Sequence, residues 1–180
     1  DNDALPARCR SLRNLSFVPE RRFVHRELGH NFRMSNIQAA IGVAQMEKLP
    51  ESLRKKRAIG TRYQELLKDV QGVQLPLERT PYAENLYWVF GLVLNDEVPF
   101  EEQECERRLQ ALGVGTRPFF WPMHEQPVFL EQGLFKGERY PVAERIARRG
   151  LYVPTGLALT DEAMRYVSEQ VHAVLGTGER

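Results

Sequence analysis

The residues of this 180-residue chain best suited to chemistry lie in two short stretches. In the first, Asn31 and Arg33 stand just ahead of a helix start, where Ser35 and Gln38 have the spacing of a capping box. The Ser35 hydroxyl can accept from the Gln38 N–H while the Gln38 side chain reaches back to the Ser35 N–H. A helix N-terminus offers unpaired N–H groups and a partial positive charge, so an amide and a guanidinium beside it could hold an anion such as a phosphate. Residue types alone leave a second reading open, in which Asn31 closes a turn and Arg33 lies on the surface.

In the second stretch, Arg117 and His124 bracket Phe119, Phe120 and Trp121. Aromatic rings present flat apolar faces and an arginine grips phosphate oxygens bidentately, a combination that suits a sugar nucleotide. The alternative is that the rings fill a core and Arg117 pairs with a surface acid. Cys9 and Cys105 fit no metal-ligand spacing, so no metal site is expected, and their number suits a reducing compartment better than a disulfide framework.

The elements that must position these groups are legible in outline. Behind Ser35, the residues Ile37, Ala40, Ile41 and Ala44 recur at helical spacing and predict a helix with a narrow apolar face. Pro50 should end or kink it, and Leu53, Ile59, Tyr63, Leu66 and Leu67 form a second stripe, with Lys55, Lys56 and Arg57 on a solvated face. A loop over 76–81 leads to an inner strand over 86–94, then to a helix opened by Pro99, with Cys105, Leu109 and Leu112 inward and Gly113 as its stop. A strand over 114–119, a helix from Pro141 to Gly150, a strand over 151–153 and a last helix capped by Thr160 complete the order. Met164, Val167, Val171 and Val174 are the last helix's buried stripe, and 176–180 reads as a frayed tail. Residues 50–175 therefore predict a small α/β layer domain. Residues 1–28 carry six arginines without a sustained apolar period and read as an exposed helix and loop.

A net charge of +1 from 25 basic and 24 acidic residues supplies no dedicated nucleic-acid or membrane surface. The arginine-rich start lacks interleaved aromatics and reads as a solvated face, not a nucleic-acid arm. No apolar run approaches the ~18 residues of a membrane span, and no signal peptide is visible, so a cytoplasmic setting is expected.

The string GHNFRMSNIQAAIG, residues 29–42, resembles the GYNYRM-type segment and following helix of the DegT/StrS family of sugar-nucleotide aminotransferases, which use pyridoxal 5′-phosphate. RPFFWPMHEQP at 117–127 resembles the TRPFFYPLHxQP segment of that family's GDP-perosamine synthase branch. Residues 140–160 resemble its PxAxxIxxxGLxLPSGLxLT ending, so the likeness covers nearly the whole chain.

The resemblance implies the C-terminal portion of a fold-type-I transferase: a small antiparallel or mixed sheet flanked by helices (an α+β small domain), with a long connecting helix. Residues 1–50 would be a remnant of the large cofactor domain, 51–75 the connecting helix and 76–180 the small domain. It implies transfer of an amino group from L-glutamate to a keto sugar nucleotide, leaning toward GDP-4-keto-6-deoxymannose, in a homodimer with shared sites. Asn31 would reach the cofactor phosphate of the neighbouring subunit with Arg33 beside it, and Arg117, His124 and His25 would meet substrate. His30 and Phe32 replace the family's two tyrosines and remove two phenol hydroxyls. None of Lys48, Lys55, Lys56, Lys68 or Lys136 sits in the context of the family's cofactor lysine, and the chain begins at Asp1, so it reads as part of a longer enzyme. A non-catalytic dimerisation or regulatory remnant is the alternative.

Overall fold

Local chemistry sets three of the helix starts. Ser35 caps the long helix, Pro141 occupies a first helical position, and Thr160 Oγ1 accepts from the Ala163 N–H at 3.2 Å. The computed structural model describes residues 4–18, 20–25 and 27–176; of the frayed tail expected at 176–180, Gly176 is the last residue of the final helix and 177–180 lie outside the described residues. The chain divides into two units, 1–49 and 50–180.

In the first unit, α1 (Ala4–Arg13) leads through Leu15 and Ser16, both at positive φ, into an antiparallel hairpin of β1 (Phe17–Val18) and β2 (Arg21–His25). The sequence reading missed this hairpin, because two-residue pairing with a bulge leaves no alternating run to see. Residues 29–32 return antiparallel to the end of α1, with Asn14 opposite Asn31. Helix α2 (Asn36–Leu67) then begins and crosses the unit boundary.

Pro50 lies inside α2, so of the two expected outcomes, an end or a kink, the end does not occur. Proline forfeits a single N–H bond, and a helix this long retains bonded turns on both sides.

The second unit is built on a four-stranded, wholly antiparallel sheet in the order β3 (Val73–Gln74), β6 (Phe90–Leu94), β8 (Gly150–Val153) and β7 (Arg117–Pro118). Along β6, Phe90, Leu92 and Leu94 point into the core, as do Leu151 and Val153 of β8. They meet Ile59, Tyr63 and Leu67 of α2, Cys105 and Leu109 of α3 (Glu102–Ala111), and Met164, Val167, Val171 and Val174 of α6 (Asp161–Gly176). On the alternate face, Phe119 lies over Gly91 and Gly150, where any side chain would collide with its ring. A small hairpin, β4 (Arg79–Thr80) with β5 (Ala83–Glu84), occupies part of the expected loop, and α4 (Pro127–Glu131) and α5 (Pro141–Arg149) complete the unit.

Three expected elements are shorter than read. The strand over 86–94 begins only at Phe90, because the Asn85 side chain accepts from the Tyr87 N–H and Tyr87 turns at φ 51°. The strand over 114–119 shrinks to Arg117–Pro118, an edge position that tolerates proline's missing donor. Helix α3 starts at Glu102, not Pro99: Arg149 donates to the carbonyls of Asn95, Val98 and Phe100 and holds that segment as a loop. Leu112, expected inward, is the exposed cap residue before Gly113.

Candidate functional site

The first candidate group is assembled by backbone bonds. Leu15 N donates to His30 O at 3.0 Å, His30 N to Leu12 O at 2.6 Å and Phe32 N to Arg13 O at 3.0 Å. Gly29 permits this approach: a Cβ there would overlap the Leu15–Ser16 peptide and lie 2.7 Å from Ser16 Oγ. The His30 and Phe32 rings stack 4.8 Å apart and 9° from parallel. Neighbours alternate in an extended segment, so Asn31 presents its carboxamide on the other side. Asn31 and Arg33 are exposed, and neither side chain has a partner among the described residues.

The capping box forms as expected, with Ser35 N donating to Gln38 Oε1 at 2.8 Å and Gln38 N to Ser35 Oγ at 3.3 Å. Within the same unit Asn14 Oδ1 and Ser16 Oγ are buried without a hydrogen-bond partner. His25 is tied to this segment through its Nδ1, 2.6 Å from Leu15 O. A carbonyl only accepts, so Nδ1 carries the proton and the neutral ring's Nε2 is an acceptor.

The second group lies in the second unit. Arg117 is exposed on β7 and borders a cleft of about 590 Å³ lined by Gly115, Thr116, Pro118, Tyr152, Pro154 and Thr155, among others. No acid lines that cleft, and Arg117 has no ion-pair partner among the described residues. A larger hollow of about 740 Å³ beside Thr160 carries Glu162 and Glu169 together with Arg165, which with Arg62 already pairs with Asp161, so among the described residues its lining offers an anion no free cation.

His124 is turned inward. It is 8% exposed, its Nε2 is 3.1 Å from Glu144 Oε1, and its ring meets Tyr140 edge to face at 4.9 Å. Glu144 also accepts from Arg139 at 2.8 Å and from the Tyr140 N–H at 2.8 Å. The Arg139 guanidinium, helped by that N–H and by His124, holds the Glu144 carboxyl down at about 2. Next in sequence, Glu125 accepts two bonds from Arg148, whose guanidinium lies 4.7 Å from the Trp121 ring centroid. These anchors fix 121–125, while Phe120 is 72% exposed. His124, Glu125 and Glu144 bring potential metal-ligand atoms within 4.8 Å of one another, but each carboxylate is already engaged by an arginine.

His25, Asn31 and Arg33 thus belong to 1–49, and Arg117 and His124 to 50–180. Sequence reasoning missed Lys56, which it assigned to a solvated face: its ammonium turns inward and donates to Thr155 O at 2.6 Å and Trp88 O at 3.0 Å. The only sequence signal was its position seven residues before Tyr63, on the buried side of α2. Cys105 is core as expected, and burial pushes its thiol up to about 11.

Comparison with known proteins gives a consistent picture. Residues 1–172 match the DegT/DnrJ/EryC1/StrS aminotransferase family. Over 96% of the chain, it is 32% identical to EpsN of Bacillus subtilis (strain 168), whose name assigns it to the pyridoxal phosphate-dependent aminotransferases. It is 31% identical, over 97% of its length, to GDP-perosamine synthase of Caulobacter vibrioides (strain ATCC 19089 / CIP 103742 / CB 15). Among solved structures, the aminotransferase TlmJ from Streptoalloteichus hindustanus superposes with a TM-score of 0.82 at 27% identity over 98% of the chain. The chain spans 44%, 46% and 46% of these three proteins respectively. Among the described residues, no helix is long and apolar enough to cross a membrane.

Proposed function

Because the chain belongs to the DegT/DnrJ/EryC1/StrS aminotransferase family, we propose that it forms the C-terminal part of a pyridoxal phosphate-dependent enzyme moving an amino group from glutamate to a nucleotide-linked keto sugar. The observation that carries this reading is the exposed Asn31–Arg33 pair ahead of the capped α2, with no acid between Gly29 and Gln38. These groups fit a phosphate: the Asn31 carboxamide donates, Arg33 adds positive charge, and no carboxylate opposes them. When bound, pyridoxal phosphate supplies the electron sink for amino-group transfer.

This chain's own residues orient and hold. Asn31, with Arg33 beside it, holds the cofactor phosphate of a neighbouring subunit in a homodimer with shared sites. Arg117 pairs with phosphate oxygens of the nucleotide, Phe120 offers a flat face, and His25 accepts from a substrate hydroxyl through Nε2. His124, through Glu144, keeps the segment after Arg117 in place. Residues 1–50 are the end of a large cofactor domain, 51–75 connect it to the small domain at 76–180, and the cofactor-anchoring lysine comes from outside this chain. Identity to the Caulobacter GDP-perosamine synthase supports GDP-4-keto-6-deoxymannose as substrate and GDP-perosamine as product. The setting is cytoplasmic.

A second reading, a non-catalytic dimerisation or regulatory module, is favoured by one observation: Ile37 and Ile41 of α2 are 76% and 60% exposed. Two measurements separate the readings. The intact mass of the native gene product should lie well above 20.8 kDa; a mass of 20.8 kDa leaves the module. In the complete enzyme, Asn31→Ala should weaken pyridoxal phosphate retention about tenfold with an unchanged circular dichroism spectrum, the cost of one charge-assisted bond. Unchanged cofactor affinity would sink the assignment of Asn31.

A further inference from the structure

The turn after β8 is gripped from one face of α2. Lys56 Nζ donates to Thr155 O at 2.6 Å and to Trp88 O at 3.0 Å, and lies 3.4 Å from Thr155 Oγ1. Seven residues on, two helical turns along the same face, Tyr63 OH donates to Pro154 O at 3.0 Å. Thr155 Oγ1 in turn donates to Trp88 O at 3.2 Å, so two adjacent carbonyls and the β6 approach are tied to one helix. Lys56 spends its donors on backbone carbonyls and a hydroxyl, and no ion pair joins it to a carboxylate among the described residues. Burial lowers its pKa from the ordinary lysine value.

The gripped residues have a second surface. Pro154 and Thr155 line the cleft together with Thr116 and Arg117, and β7 pairs with β8 through Arg117 opposite Tyr152. With no acid lining the cleft and an ammonium held behind one wall, the electrostatics favour an anion.

We propose that Lys56, with Tyr63, is a positioning residue for an anion bound at Arg117: the clamp fixes the Pro154–Thr155 wall against which the ligand's phosphate or carboxylate is held. This rests on the substrate role assigned to Arg117 above. A hydrophobic residue at 56 would take the ammonium donor from the Thr155 carbonyl, leave Trp88 O with the Thr155 hydroxyl alone, and release the wall. An arginine, which also donates to carbonyls, would keep it.

The test is an NMR titration of the full 180-residue chain with GDP and, separately, with L-glutamate. The amides of Thr116, Arg117, Tyr152, Val153 and Thr155 report binding. Lys56→Met should raise the apparent Kd about tenfold, the scale of a lost charge-assisted bond, while Lys56→Arg should return it to within about twofold. Thermal melting of each variant checks that the fold is intact; should Lys56→Met not fold, Tyr63→Phe carries the test through the other bond to the same turn. Either ligand supports the clamp if its binding shows this pattern, GDP identifying the anion as phosphate and glutamate as carboxylate. Binding that Arg117→Ala weakens but Lys56→Met and Tyr63→Phe leave unchanged overturns the clamp alone. Binding that Arg117→Ala leaves unchanged overturns the role of Arg117, and the clamp with it.

Discussion

The two units of this chain differ in how completely they bury what their sequences offer. In 50–180, strands β6 and β8 and helices α2, α3 and α6 close over one continuous apolar core, with Tyr63, Leu67, Phe90, Leu94, Leu109 and Leu151 fully removed from solvent. In 1–49, Ser16 is the sole buried side chain among those described. Phe32, Met34, Ile37, Ile41, Val43 and Met46 are all exposed there. Early α2 carries an apolar stripe that includes Ile37 and Ile41, as α6 carries one that includes Val167 and Val171, yet among the described residues only the α6 stripe is buried. An apolar stripe therefore specifies a helix and a face to be covered; it does not specify that the cover lies in the same polypeptide segment.

That contrast makes ordered predictions. The largest effect should come from Phe90→Ala, which empties the centre of the second unit's core and should cost about 3–5 kcal/mol in urea unfolding. A loss under about 1 kcal/mol would show that the core repacks and is less continuous than its burial implies.

The next concerns acid. Glu144 is ionised down to about 2 in the fold, against an ordinary 4.5, because Arg139 and the Tyr140 N–H stabilise the carboxylate. A depressed carboxyl contributes stability that is complete above its unfolded value and is lost as pH falls through the folded one. The second unit should therefore lose this contribution between pH 4.5 and about 2. Arg139→Gln should raise the carboxyl and shift the acid transition to higher pH, read by circular dichroism during acid titration; an unmoved transition would remove the Glu144 cluster as a stabilising feature.

Smaller still is Ser35→Ala, which deletes the cap of α2 and should cost about 1 kcal/mol of local stability, seen as faster amide exchange over 36–39. The smallest is Ile37→Ala: at an exposed site it should change urea stability by less than about 0.5 kcal/mol. A large loss there would mean that the first unit already buries this face in solution, and the contrast between the units would fall.

The legible parts of the fold were the local ones. Ser35 with Gln38 and Thr160 with Ala163 are interactions across three residues, and the sequence spacing alone places donor and acceptor together. The buried stripe of α6 and the core position of Cys105 followed from helical periodicity for the same reason. Among the candidate site residues, Asn31, Arg33 and Arg117 are exposed and able to meet a ligand, whereas His124 is committed to Glu144 twenty residues away. Nothing in the local pattern distinguishes a histidine aimed outward from one aimed at a buried carboxylate.

What this sequence determined by itself were the starts of α2, α5 and α6, the stops at Gly113 and Gly150 and the family motifs that frame the two candidate groups, because each depends on neighbours a few residues apart. Tertiary structure alone decided that Lys56 turns inward to Thr155, that Arg149 gathers the carbonyls before α3 and that Phe119 lies on Gly91 and Gly150. Those contacts join residues some 30 to 100 positions apart. Their partners are brought together by burial of the shared core, and burial is a property of the whole unit rather than of any stretch within it.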